Sequence, residues 1–124
     1  MIQLRSVLAP ADNTGVKKIR VVLVHGGSRR RWGKIGDLIS ASVIDATPES
    51  QIKKGQKVKA VIVRTRAHYH RPDGTHIRFD DNSAVIIESL ASKNPVGTRI
   101  FGPIAREIKD LGFSKIASLA QEVI

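Results

Sequence analysis

The chain has 124 residues, 41% of them apolar and only five aromatic (Trp32, Tyr69, Phe79, Phe101 and Phe113), which suits one domain with a modest core of Val, Ile, Leu and Ala and argues against disorder. It carries 21 Lys and Arg against 11 Asp and Glu, a formal net charge of +10, and no cysteine, so disulfides, thiolate metal sites and thiol catalysis are excluded and a reducing compartment is allowed. No apolar run approaches the ~18 residues of a membrane span, and Met1-Ile2-Gln3-Leu4-Arg5 has neither the apolar block of a signal peptide nor the composition of a transit peptide.

Asp12-Asn13-Thr14-Gly15 reads as a side-chain-stabilised turn ahead of the first long strand. That strand runs from Lys17 to His25, rich in β-branched residues, and closes on Gly26-Gly27. Leu38 to Ala46 follows, ended by Thr47-Pro48, and Val58 to Thr65 is opened by Lys54-Gly55. Ile77 to Phe79 and Ala84 to Glu88 flank the polar turn Asp80-Asp81-Asn82-Ser83. This spacing predicts a small antiparallel barrel or sandwich, and without helix-length connections between the strands a parallel sheet is not expected. Gly36-Asp37-Leu38-Ile39-Ser40-Ala41 and Gly55-Gln56-Lys57-Val58-Lys59-Ala60 share a Gly, an aliphatic residue three on, and an Ala two further, which predicts one barrel corner used twice.

The period changes after a loop between Glu88 and Thr98. Pro103 suits a first helical position. Ile104, Ile108 and Leu111 fall at i, i+4 and i+7 on one helical face, with Gly112 as its terminator. Ser114 is the expected N-cap of a second short helix that buries Ile116, Leu119 and Ala120. The reading is one domain over residues 1–124, with the barrel about 1–88 and a helical segment about 98–124.

Charge is concentrated in the middle of the chain. Lys17 to Arg78 holds fifteen basic and four acidic residues, whereas Phe79 to Ile124 holds five and six. Such an excess attracts polyanions, and nucleic acid is the leading partner; a solvated basic surface is the plain alternative. No basic amphipathic helix points to a membrane surface.

Two stretches carry most of this signal. Pro72-Asp73-Gly74 predicts a tight turn that makes Val61 to Phe79 a two-stranded ribbon. Alternation places Arg64, Arg66, His68 and His70 on one face, with His76 and Arg78 on the return strand and Arg71 at the turn. A cationic ribbon suits the phosphates of folded RNA; it would also guard a sheet edge. Gly26 to Lys34 sets Arg29, Arg30, Arg31 and Lys34 around Trp32, a flexible cationic loop with one stacking surface. Lys17, Lys18, Lys53 and Lys54 complete the candidate RNA-contacting set.

Enzymatic readings find little support. His68, His70 and His76 lie near Asp73, Asp80 and Asp81, but arginines on the same face repel a cation. Ser28, Ser40 and Ser42 lack the turn of an activated serine. No catalytic, metal or cofactor site is expected. A free module for single-stranded RNA would need a row of exposed aromatics, and only Trp32 and Tyr69 lie outside the expected core.

Taken together, these stretches resemble the bacterial-type L-fourteen protein family of the large ribosomal subunit. The resemblance runs through Ala11-Asp12-Asn13-Thr14-Gly15, Gly26-Gly27-Ser28-Arg29-Arg30, Arg71-Pro72-Asp73-Gly74-Thr75, Ile77-Arg78-Phe79-Asp80-Asp81-Asn82 and Gly97-Thr98-Arg99-Ile100-Phe101-Gly102-Pro103, and covers essentially the whole chain. Trp32, Gln121 and Val16 depart from residues customary in that family. The resemblance implies a mainly β fold: a small closed five-stranded antiparallel barrel with a projecting β-hairpin and short C-terminal helices. It implies a non-enzymatic constituent of the cytoplasmic ribosome of a bacterium, or of a plastid ribosome. Its implied partners are large-subunit rRNA, neighbouring ribosomal proteins, small-subunit rRNA across the subunit interface, and the ribosomal silencing factor, whose docking surface matches Thr98, Arg99 and Lys115.

Overall fold

The computed structural model describes residues 2–27 and 31–124. Five strands, β1 (Val7–Pro10), β2 (Val16–Val24), β3 (Leu38–Ala46), β4 (Lys57–Arg64) and β7 (Ser83–Ile87), close a barrel in the order β1-β2-β3-β4-β7. A hairpin of β5 (Tyr69–His70) and β6 (His76–Ile77) interrupts the barrel between β4 and β7. After β7 come β8 (Pro103–Ile104), helices α1 (Glu107–Asp110) and α2 (Ser114–Leu119), and β9 (Glu122–Val123). Four of the barrel pairings are antiparallel; the fifth, β1 with β7, is parallel through Ala9↔Ser83 and Pro10↔Ala84. An odd number of strands cannot alternate in direction all the way round, so one seam must be parallel. The Ser83 hydroxyl reinforces it by donating to the Ala9 carbonyl at 2.6 Å.

The barrel interior is filled by the residues that alternation predicts, among them Leu8, Ile19, Val21, Ile39, Val43, Val58, Ile62 and Ile86. Irregularities in the β2–β3 register, between Val16 and Lys18 and again between Val21 and Leu23, bend β2 around this core. Ala41 sits opposite Val58 and Ala60 opposite Ile39, both alanines fully buried. A small side chain at each of these positions lets the sheet curl tightly, and the turns that lead into them use Gly36 and Gly55 at φ +89° and +88°. Both β3 and β4 are thus entered from a positive-φ glycine and carry a fully buried alanine five residues on.

A second core lies outside the barrel. Val61, Val63, Val85 and Ile87 face away from the interior and pack with Ile77, Phe79, Ile100, Ile104, Ile108, Phe113 and Ile116. β4 and β7 are therefore buried on both faces and read as near-continuous apolar runs. β2 and β3 alternate, because their outer face is not covered in this way.

The C-terminal segment differs from its expected helices. Pro103 and Ile104 form a strand, parallel to Glu122 and Val123, and α1 starts only at Glu107. Ile124 N–H donates to the Ile104 carbonyl at 2.9 Å and Arg106 N–H to the Ile124 carbonyl at 3.0 Å. These long-range bonds satisfy backbone that a helix would otherwise pair locally, and so override the proline signal. Leu111 consequently leaves the core and is 49% exposed. Ser114 is the first residue of α2 rather than its cap, the cap position being Phe113.

Asp12 ties the first turn to the barrel. One carboxylate oxygen accepts from the Thr14 N–H and hydroxyl, and the other from the Ile86 N–H at 3.1 Å. Burial raises its pKa above the ordinary 3.8, against the lowering effect of those hydrogen bonds. A raised carboxyl is disfavoured in its ionised form, so its contribution to stability is full below pH 3.8 and is lost as pH climbs through the folded value. The melting temperature of the native chain minus that of Asp12→Asn should therefore fall between about pH 3 and about pH 7. A difference that does not change with pH would contradict this.

Candidate nucleic-acid interface

The antiparallel order of β2, β3 and β4 sorts the candidate cations to two ends of the barrel. Lys17 and Lys18 open β2, and Lys53 and Lys54 stand just before β4, beside the end of β3. At the other end, a nine-residue strand or about 30 Å away, lie Arg31, Trp32 and Lys34 between β2 and β3, and Arg66, His68, His70 and Arg78 around the hairpin. Two stretches that are separate in sequence meet here. Lys34, Thr65, His68, Tyr69 and His70 line one cleft of about 220 Å³. Trp32 is 52% exposed and borders a shallow hollow with Leu4, Val22, Leu23 and Arg31. Arg29 and Arg30 lie outside the described residues.

The ribbon is shorter than alternation suggests. Arg64 ends barrel strand β4, and only Tyr69–His70 and His76–Ile77 pair as a hairpin. The predicted turn is present: Arg71 N–H donates to the Thr75 carbonyl at 2.8 Å, and Asp73 accepts from the Thr75 N–H and hydroxyl. His70 and His76 stack edge to face at 4.2 Å. Asp73 and Asp81 are held by Thr75 and Arg64, and among the described residues no three His, Asp or Glu side chains are grouped as metal ligands.

Arg64 and Arg71 turn inward, unlike the other described candidates. The Arg64 side chain is 11% exposed and grips Asp81 with two bonds, Nε to Oδ1 at 3.0 Å and Nη2 to Oδ2 at 3.2 Å. Its Nη1 donates to the carbonyls of Phe101 and Pro103 at 2.8 and 3.0 Å. Gly102 between them has φ +78°, and a Cβ there would stand 2.6 Å from Nη1; only glycine permits that approach. Arg71 pairs with Glu107 of α1, Nε to Oε1 at 2.6 Å, and donates through Nη2 to the Ile124 carbonyl. These two arginines fasten barrel and hairpin to the C-terminal segment. Asp81 serves Arg64, not the neighbouring Arg78.

Among the described residues these are the two ion pairs that hold a candidate cation. Lys17, Lys18, Arg31, Lys34, Lys54, Arg66 and Arg78 are exposed without an acidic partner, and Lys53 donates to the Pro48 carbonyl at 2.9 Å. Three further exposed cations, Arg20, Lys57 and Lys59, lie on the barrel strands themselves. Each sits among β-branched residues, and the outward phase of the alternation is the signal that identifies them. Thr98 and Arg99 are exposed on a segment clamped by Asn13, whose Oδ1 accepts both their N–H groups at 2.8 and 3.1 Å. Lys115 is exposed on α2.

Barrel, hairpin, C-terminal clamp and unpaired cations are accompanied by a match to the family model of ribosomal protein L14p/L23e over residues 1–124. The chain belongs to that family. As an L14p/L23e protein it is a structural constituent of the large ribosomal subunit, in association with rRNA and ribosomal proteins. The family is non-enzymatic.

The division between inward and outward arginines is testable by stability alone. Arg64→Ala leaves two carbonyls without a donor and should cost about 2 kcal/mol or more. Arg66→Ala, on the exposed side, should change stability by less than about 0.5 kcal/mol. Urea unfolding of both variants reads the difference, and equal midpoints would reject it.

Proposed function

We propose that this chain holds large-subunit rRNA through both cationic ends of its barrel: Arg31, Trp32, Lys34, Arg66, His68, His70 and Arg78 around the hairpin, and Lys17, Lys18, Lys53 and Lys54 at the opposite end. Arg29 and Arg30 join the first group by their place in the loop. The observation that carries this reading is the unequal pairing of charge: among the described residues, Arg64 and Arg71 are neutralised inside, while Arg31, Arg66 and Arg78 have no acidic partner. Exposed cations exchange condensed counterions for phosphates with little desolvation, and contacts to backbone and shape hold an A-form helix in register. Trp32 supplies a stacking face. Arg64 and Arg71 act indirectly, by fixing the angle of the hairpin.

The same reading extends to the chain's other partners. The near-neutral C-terminal segment suits contacts with neighbouring ribosomal proteins, and the hairpin end reaches small-subunit rRNA across the subunit interface. Thr98, Arg99 and Lys115 form a docking surface for the ribosomal silencing factor in a bacterial or plastid ribosome, with Asn13 keeping the Thr98–Arg99 backbone in place.

In a lysate resolved on a sucrose gradient, the protein should migrate with the large subunit and the joined ribosome and survive a moderate-salt wash; recovery at the top of the gradient would favour a free RNA-binding module. For the isolated chain, Arg66→Ala with Arg78→Ala should make the salt dependence of RNA binding shallower by about one to two in log–log slope. An unchanged slope would remove the hairpin end from the interface. Arg99→Glu with Lys115→Glu should abolish capture by immobilised silencing factor, and undiminished capture would move that surface elsewhere.

A further inference from the structure

Between the two cationic ends runs the outer wall of β2, β3 and β4, which the second core leaves uncovered near the start of β4. The strand registers stack its side chains in rows. Arg20, Ser42 and Lys57 are direct cross-strand partners, and so are Leu23, Ser40 and Lys59. Each row has a hydroxyl at its centre. The rows lie two residues apart along β3, about 7 Å, so a chain laid along the strands meets both. In the second row three polar groups converge: the Ser40 hydroxyl is 2.7 Å from His25 Nε2 and 2.8 Å from Lys59 Nζ. His25 leaves the end of β2 with its backbone N–H donating to the Leu38 carbonyl at 3.0 Å, and its ring contacts the row through Ser40. Nearby acidic residues are Asp45, which stands opposite Lys18 in the β2–β3 register without an ion pair, and Glu88, which follows the Ile87 opposite Lys59.

We infer that His25, Ser40 and Lys59 form a seat for one phosphate of an RNA backbone, with Arg20, Ser42 and Lys57 as the adjoining row, so that the bound strand passes from one cationic end of the barrel to the other. This rests on the rRNA-binding reading above. The Lys59 ammonium uses one N–H on Ser40 and keeps two for phosphate oxygens. With Nε2 protonated, the Ser40 oxygen accepts from both neighbours and its own hydrogen turns to the phosphate. With Nε2 unprotonated, that hydrogen goes to His25 and Lys59 carries the anion. In either state the serine oxygen accepts from Lys59 and already holds the ammonium in place, so little ordering remains when a phosphate arrives.

The test is fluorescence anisotropy of a labelled short RNA duplex of mixed sequence, titrated with the full chain between about 50 and about 200 mM KCl. Lys59→Met should make the log–log salt slope shallower by about 0.9, the share of one phosphate. Ser40→Ala should weaken binding about three- to tenfold at an unchanged slope. Lys109→Met, on α1, should do neither, and circular dichroism melts establish that all three variants are folded. A Lys59→Met slope equal to that of the native chain overturns the seat while leaving RNA binding in place. A native chain with almost no salt-dependent binding overturns the underlying reading instead. Inorganic phosphate supplies the remaining arm: His25 and Lys59 side-chain NMR signals that move with millimolar phosphate but not with the duplex would mark a free-anion site and also overturn the proposal.

Discussion

Five strands joined in sequence alternate in direction until the ring closes, and then two neighbours must run the same way. Here that seam is β1 against β7, two residue pairs and one serine hydroxyl. It brings Ala9 beside Ser83 and Asp12 beside Ile86, and through Asn13 it sets the start of the C-terminal segment at Thr98 and Arg99. From that point the chain is led across β4 and β7. The covered wall of the barrel is therefore next to the seam, and β2 and β3 are left bare.

Electrostatics follows the same division. Arg64 lies under the covering segment, where a charge without partners would be costly; it is met by a carboxylate and two carbonyls. Arg71 repeats the arrangement at the hairpin with Glu107 and Ile124. The acidic side chains that neutralise these two arginines come from the β6–β7 turn and from α1, within the part of the chain that is net acidic. The candidate cations that remain among the described residues face water, where an ion costs nothing to keep and polyanions find it readily. One set of arginines builds the shape, and another is available to a partner.

The barrel was largely legible in the sequence because its strands are local events. Leu38–Ala46 was bounded by a turn at each end and has those bounds in the structure, and the β-branched runs of β2 and β4 end within a residue or two of their expected limits. β1 carries no strand signal of its own: Val-Leu-Ala-Pro is short, lacks alternation and ends in a residue with no N–H, and it becomes a strand because two neighbours hold it. Pro103 and Ile104 fail for the same kind of reason, since their partner lies at Glu122 and Val123. The cationic character of the site was plain from charge counts. Alternation alone puts Arg64 on the exposed face, and nothing near it in sequence reveals that the carbonyls of Phe101 and Pro103, 37 and 39 residues on, will need its guanidinium. Arg20, Lys57 and Lys59 were hidden by their hydrophobic neighbours, and only strand register shows that they share one wall with Ser40 and Ser42.

The second core has a consequence for the order in which the chain is made. The barrel has all its strands once residue 87 is available, although its seam joins residues 74 apart and is a slow, non-local closure. At that moment Val61, Val63, Val85 and Ile87 form an apolar strip that is only partly shielded, because Ile77 and Phe79 are in place while Ile100, Ile104, Ile108, Phe113 and Ile116 are still to be synthesised. The basic wall, by contrast, is finished as soon as β4 is. During translation this molecule is therefore first a polycation with one sticky flank and only later a sealed one, and the interval between those two states is when it is most exposed to aggregation and to chaperone capture.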